Sequence, residues 1–250
     1  FKEVKSDLND LFGWWKAIAA TDIDGDGDQD LVLGNMGENF YLHPNRQNPV
    51  KMWINDFDGN GSIEKIITRT INGNDMPVFL KREMTDQLPS LKRQNLQHHE
   101  YAKKKIQELF DAEQIGKATV KQVNYTASCV AINEGNGKFT IQELPGPVQF
   151  SCVNTIRCAD INNDAKTDLI LGGNEFGFQP QFGRLDACAV TVLMNTGKGG
   201  KLKLIDTRES GLQLNGEVRD IAEIKGAKSN YFIILQNDSY PALYISNRKK

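Results

Sequence analysis

Residues 22–35 read DIDGDGDQDLVLGN, a bend in which every second residue is an acid, followed at once by a short apolar run. Counting Asp22 as position 1, oxygen-bearing side chains fall at positions 1, 3, 5 and 9 as Asp22, Asp24, Asp26 and Asp30, and Asp28 at position 7 offers its carbonyl. The same spacing recurs in NDFDGNGSIE with Asp56, Asp58, Asn60 and Glu64, and Ser62 at position 7. It recurs a third time in ADINNDAKTD with Asp160, Asn162, Asp164 and Asp168, and Lys166 at position 7. Alternate side chains of a tight loop point inward, so these oxygens converge on a hard cation that takes about 6–8 oxygen ligands, and Ca²⁺ fits better than Mg²⁺. Gly27 and Gly61 at position 6 permit the sharp turn. Asp- and Gly-rich turns also serve as plain solvated hairpin connections. Three copies in one spacing weigh against that, because clustered carboxylates left unneutralised repel one another. Up to three Ca²⁺ ions are expected, held tightest by the first loop and weakest by the third, which has the neutral Asn162 and Ala165 at position 6.

Outward from the loops, the chain repeats. WKAIAATDIDGDGDQDLVLGN (residues 15–35), VNTIRCADINNDAKTDLILGGN (153–174) and VRDIAEIKGAKSNYFIILQN (218–237) each read apolar run, polar turn, apolar run. A second unit follows each: VKMWIND (50–56), AVTVLMNTG (189–197) and PALYISN (241–247), with SCVAINEGNGKF (128–139) as an orphan copy. The turn of the last repeat, Glu223 to Tyr231, has lost its acids and is expected to hold no metal. Runs of four to eight residues rich in Val, Ile, Leu and Trp between Gly turns are the signature of antiparallel hairpins. The expected fold is all-β, a β-propeller of about four blades or the C-terminal part of a larger one, within a single domain over 1–250. Residues 1–4 (FKEV) resemble fourth strands, so that either they complete the last blade and close the ring or the chain is the tail of a longer propeller cut inside a blade. Between about 84 and 117 the pattern turns helical, with Leu96, His99, Ala102, Ile106 and Leu109 or Phe110 spaced for one helix of about fifteen residues, a helical insertion.

Thirty basic residues nearly balance 32 acidic ones for a net charge of -2, so no basic field exists to hold nucleic acid. No apolar run approaches the ~20 residues of a membrane-spanning helix. The first fifteen residues lack the basic start and apolar centre of a signal peptide, and the chain reads as a mature or excised piece. Cys129, Cys152, Cys158 and Cys188 show no Cys-x-x-Cys pairing and read as buried thiols.

No catalytic motif emerges, and the chain is expected not to be an enzyme. His98, His99 and Glu100 lack metalloprotease spacing and read as solvated helix residues. Arg184 and Asp186 read as a strand pair, Trp14, Trp15 and Trp53 as packing residues, and the lysines at 103–105 and the tail Arg248–Lys250 as solubilising charge. A carbohydrate-active enzyme on a propeller scaffold is the alternative, with Glu175, Asp186 and Asp220 as the acids available outside the loops.

DIDGDGDQDLVLGN and DINNDAKTDLILGGN resemble FG-GAP/VCBS repeats, similar to the blades of integrin α-subunit propellers and of bacterial surface proteins. The resemblance implies that the twelve side chains at positions 1, 3, 5 and 9 are Ca²⁺ ligands. It also implies a non-catalytic binding module for a protein or glycan partner, placed outside the cytoplasm in the periplasm, at the outer-membrane surface or secreted. No Gly-Ala-Pro follows Phe12-Gly13 or Phe182-Gly183, which sets the chain apart from the integrin end of the family.

Overall fold

A computed structural model describes residues 1–94, 97–179, 182–197, 199–227 and 229–246. Leu96, expected on the helical face, and the tail Asn247–Lys250 lie outside the described residues. The chain is mostly β, with four antiparallel sheets, and divides into two compact units: Phe1–Tyr41 with Thr126–Lys250, and Leu42–Tyr125.

The first unit contains three sheets. In the first sheet β1 (Ala17–Thr21) and β2 (Asp30–Gly34) form a hairpin around the first acidic loop. The next strand on β2 is β7 (Cys129–Asn133), in register Leu31 to Ala131, and β8 (Phe139–Glu143) completes the order β1-β2-β7-β8. The second sheet is an uninterrupted meander of β9 (Val153–Ala159), β10 (Asp168–Gly173), β11 (Val190–Asn195) and β12 (Leu202–Ile205). The third has three strands, β13 (Val218–Lys225), β14 (Asn230–Gln236) and β15 (Ala242–Ile245).

Strand alternation makes the sheets pack. On β10, Leu169 and Leu171 point to one side, where they meet Ile23, Val32, Val130 and Ile132 of the first sheet and its loop. Ile170 points to the other side, where with Val190 it meets Val218, Ile221, Phe232 and Ile234 of the third sheet. The strands β1, β9 and β13 therefore run side by side. Glycines set the closeness of both joints. A Cβ on Gly34 would stand 2.5 Å from the carbonyl oxygen of Val153, and one on Gly172 would stand 2.3 Å from Cγ1 of Val218.

The second unit is inserted in the chain between β2 and β7. Its sheet has the order β5-β4-β3-β6, from β3 (Val50–Asn55), β4 (Glu64–Ile71), β5 (Asn74–Pro77) and β6 (Thr119–Val123). Trp53 is buried and donates Nε1–H to Thr68 Oγ1 at 3.0 Å. Against this sheet pack short helices α1 (Lys81–Gln87), α2 (Leu91–Gln94), α3 (His98–Tyr101) and α4 (Ala112–Lys117), with Met84, Leu88, Leu91, Tyr101, Ile106, Leu109 and Phe110 around Trp53, Phe57 and Ile66. A capping box opens α4: Asp111 Oδ1 accepts the Gln114 amide at 2.8 Å and Gln114 Oε1 accepts the Asp111 amide at 2.9 Å.

Three expectations are corrected. Residues 50–56 are not the third strand of the first repeat; they open the inserted sheet, and the supposed orphan at 128–139 supplies the third strand. The helical segment holds several short helices instead of one long one, because Pro89 keeps Leu88 out of helical geometry (φ -127, ψ 82) and the buried side chains follow no single 3.6-residue stripe. Residues 1–6 form no strand, and the segment after them docks on the β7–β8 hairpin, where Asp7 donates its amide to the Gly137 carbonyl and accepts the Phe139 amide, both at 3.2 Å.

Candidate metal centre

The three acidic loops connect the first two strands of the first sheet (β1 to β2), of the inserted sheet (β3 to β4) and of the second sheet (β9 to β10). Four hydrogen bonds recur in all of them and explain why this spacing folds one way. The position-1 carboxylate accepts the position-6 amide: Asp22 from Gly27 at 3.0 Å, Asp56 from Gly61 at 2.9 Å, Asp160 from Ala165 at 3.0 Å. The position-3 side chain accepts the position-5 amide, as Asp24 from Asp26, Asp58 from Asn60 and Asn162 from Asp164. The position-5 side chain accepts the position-7 amide, as Asp26 from Asp28, Asn60 from Ser62 and Asp164 from Lys166. The position-9 acid accepts the position-2 amide: Asp30 from Ile23, Glu64 from Phe57 and Asp168 from Ile161. Bonds two residues apart of this kind are Asx turns, which supply the bend without help from a second strand.

Position 9 also clamps the sheet. Asp30 and Asp168 are fully buried, and the second oxygen of each accepts the amide at the end of the third strand, from Asn133 and Asn195 respectively, both at 2.8 Å. Those asparagines then turn their own side chains onto Gly135 and Gly197 in the following turn. Asn195 also donates Nδ2–H to the Ile23 carbonyl at 2.7 Å, fastening the second sheet to the first loop. This clamp was not foreseen, although the asparagine ending each third strand was visible in the sequence.

The first two loops fit a hard cation. One oxygen each from Asp22, Asp24 and Asp30 lie within 4.8 Å of one another, and so do those of Asp56, Asp58 and Glu64. Oxygens sharing one calcium at about 2.3–2.6 Å stand no more than about 5 Å apart, so these triads match. Each oxygen that accepts an amide keeps a lone pair for metal. Electrostatics differ between the loops. Burial raises the Asp24 carboxyl above its usual range, the Asp26 amide opposes this, and the neighbouring charges of Asp26, Asp30 and Asp22 push the same way as burial. The amide of Gly61, with those of Gly59, Asn60 and Asp58, holds the Asp56 carboxyl low against burial. Asp26 and Asp28 lie exposed on the rim of the first loop. In the third loop Asp160, Asn162 and Asp164 are all exposed, and the ammonium of Lys166 stands 3.2 Å from Asp164 Oδ2.

The remaining candidates sit in structural contacts. Glu175 pairs with Lys16 at 3.0 Å, Asp186 with Arg184 at 2.9 Å, and Asp220 accepts the Thr155 hydroxyl at 3.2 Å. His98, His99 and Glu100 are exposed on α3. The former fourth loop is closed by Glu223, which joins Arg157 of β9 at 2.7 Å and Asn230 of β14 at 2.8 Å. The four cysteines form no disulfide; Cys129 and Cys152 are buried, and burial, partly offset by Lys16, pushes the Cys152 thiol up to about 11.

No curated protein matches the chain. Residues 14–50, which span β1, the first acidic loop and β2, match the FG-GAP repeat, and the protein is thus one that carries this repeat.

Proposed function

We propose that the protein is a non-catalytic, calcium-stabilised β-propeller module of a secreted or cell-envelope protein, presenting its surface to a protein or glycan partner. The observation that supports this reading best is the pair of carboxylate triads at positions 1, 3 and 9 of the first two loops, built by the same hydrogen bonds. An ion there neutralises acids that otherwise repel and holds the hairpin bend by mass action, contributing about 2.7 kcal/mol at a hundred times its dissociation constant. Loops of this kind work at about 10⁻⁴–10⁻³ M calcium in extracellular modules, which favours a site outside the cytoplasm. The FG-GAP match supports the propeller scaffold, and sheets stacked through β1, β9 and β13 accord with it. Against the enzyme alternative stand the ion pairs and hydrogen bonds that already engage Glu175, Asp186 and Asp220.

The test is thermal melting in calcium and in EDTA. Calcium is expected to raise the melting temperature, and Asp24→Ala to shrink that rise; an identical melt in calcium and EDTA overturns the proposal.

A further inference from the structure

The second and third acidic loops have the same inventory of side-chain donors, three carboxylates and one amide, at the same four positions. They also share the four loop hydrogen bonds. Ala165 at position 6 does not alter the path, since it takes φ +63 where Gly61 takes φ +86. The loops differ at positions 3 and 5, where carboxylate and amide change places, and in charge at position 7, where the second loop has Ser62 and the third has Lys166. Its ammonium stands 3.2 Å from Asp164 Oδ2. Its aliphatic stem is laid against Gly197 in the β11–β12 turn, so closely that a Cβ on that glycine would fall 2.4 Å from Lys166 Cε. The amide of Gly197 is held in turn by Asn195, the residue clamped by Asp168 of the same loop. The lysine is thus seated by the sheet that its own loop belongs to.

We propose that Lys166 is a built-in cation that closes the third loop without calcium, so that the protein binds two ions, in the first and second loops. The inference rests on the calcium reading of those two loops. A tethered ammonium beside Asp164 supplies positive charge where a divalent ion would, and repels one that approaches. It costs no binding equilibrium, so the bend between β9 and β10 keeps its shape at calcium levels that empty the other two loops.

Calorimetric titration of the whole chain with calcium, on the wild type, Lys166→Ser, Lys166→Met and Ser62→Lys, tests this. Lys166→Met keeps the stem over Gly197 and removes only the charge. The wild type is expected to take two equivalents, each Lys166 variant three, and Ser62→Lys one. In EDTA both Lys166 variants are expected to melt below the wild type. Three equivalents in the wild type, or two in both Lys166 variants, overturn the inference and leave the calcium reading intact. No binding by any of the four proteins overturns the calcium reading, and this inference with it.

Discussion

Asp30 accepts a hydrogen bond from the amide of Asn133, 2.8 Å away in space and 103 residues along the chain. Asp168 takes the same bond from Asn195 at the same length, only 27 residues on. One contact at two separations shows that the first sheet is an ordinary meander interrupted by an inserted unit. It also shows that the position-9 acid has a task in the bare protein, apart from any ion.

Replacing Asp30 with alanine strands two amides, the buried one of Ile23 and the half-buried one of Asn133, and an orphaned buried donor costs about 1–3 kcal/mol. Asp30→Ala is therefore expected to destabilise the protein by about 2–5 kcal/mol in EDTA, measured by urea unfolding. Among the described residues Asp24 bonds to the Asp26 amide of its own exposed turn. Asp24→Ala should leave the EDTA curve nearly unchanged and lose stability only in calcium; equal losses for the two variants in EDTA would contradict the division of roles.

The joints between sheets depend on missing side chains. Gly172→Ala drives a methyl to 2.3 Å from Val218 Cγ1 and 2.7 Å from Thr155 Cγ2. Overpacking of this kind costs about 1–3 kcal/mol, and Gly34→Ala at the other joint should behave alike. Gly146→Ala, which meets nothing within 4 Å, is the control and should melt with the wild type.

Excision of residues 42–125 is expected to leave the first unit folded, because Gly37 already donates to the Thr126 carbonyl at 2.9 Å and β2 already pairs with β7. The shortened chain should keep its β-sheet circular dichroism and a cooperative melt, and bind one calcium equivalent fewer, the second loop having left with the insert. A chain that fails to melt cooperatively would show that the first unit depends on the second.

Glu217, just before β13, has a carboxyl lowered by its surroundings. Burial works to raise its carboxyl, but the Phe176 amide at 2.6 Å, the Asn237 side chain at 2.8 Å and the Arg219 guanidinium hold it below its ordinary 4.5. A carboxyl lowered by folding stabilises the protein at pH above its unfolded value and loses that contribution as pH falls through the folded value. Glu217→Gln should therefore be less stable than the wild type at pH 7, and the gap should close on acidification below about 4.5. A gap that stays constant with pH would assign the loss to shape and not to charge.

The bends of the acidic loops were legible, because an Asx turn is local: Asp22 and Gly27, or Asp160 and Ala165, meet within six residues whatever surrounds them. The hairpins were legible for the same reason. Strand partnership beyond a hairpin was not. VKMWIN and CVAIN are both apolar runs ending in asparagine, and only the ladder from Leu31 to Ala131 tells which belongs on β2. The helical segment was legible in kind but not in length, since its anchors serve one core around Trp53 and Phe57 and not one helix face. Lys166 was read for its carbonyl, and nothing in its sequence position announces where a long flexible side chain will come to rest.

The insertion also sets an order of events during synthesis. A ribosome releases β2 well before it makes β7, so the nascent first sheet waits with an open edge while some ninety residues are translated. The second sheet, whose four strands follow one another directly, has no such wait and low contact order. The insert therefore keeps the edge of β2 open through a long stretch of translation, although β8 completes the first sheet before β9 is made.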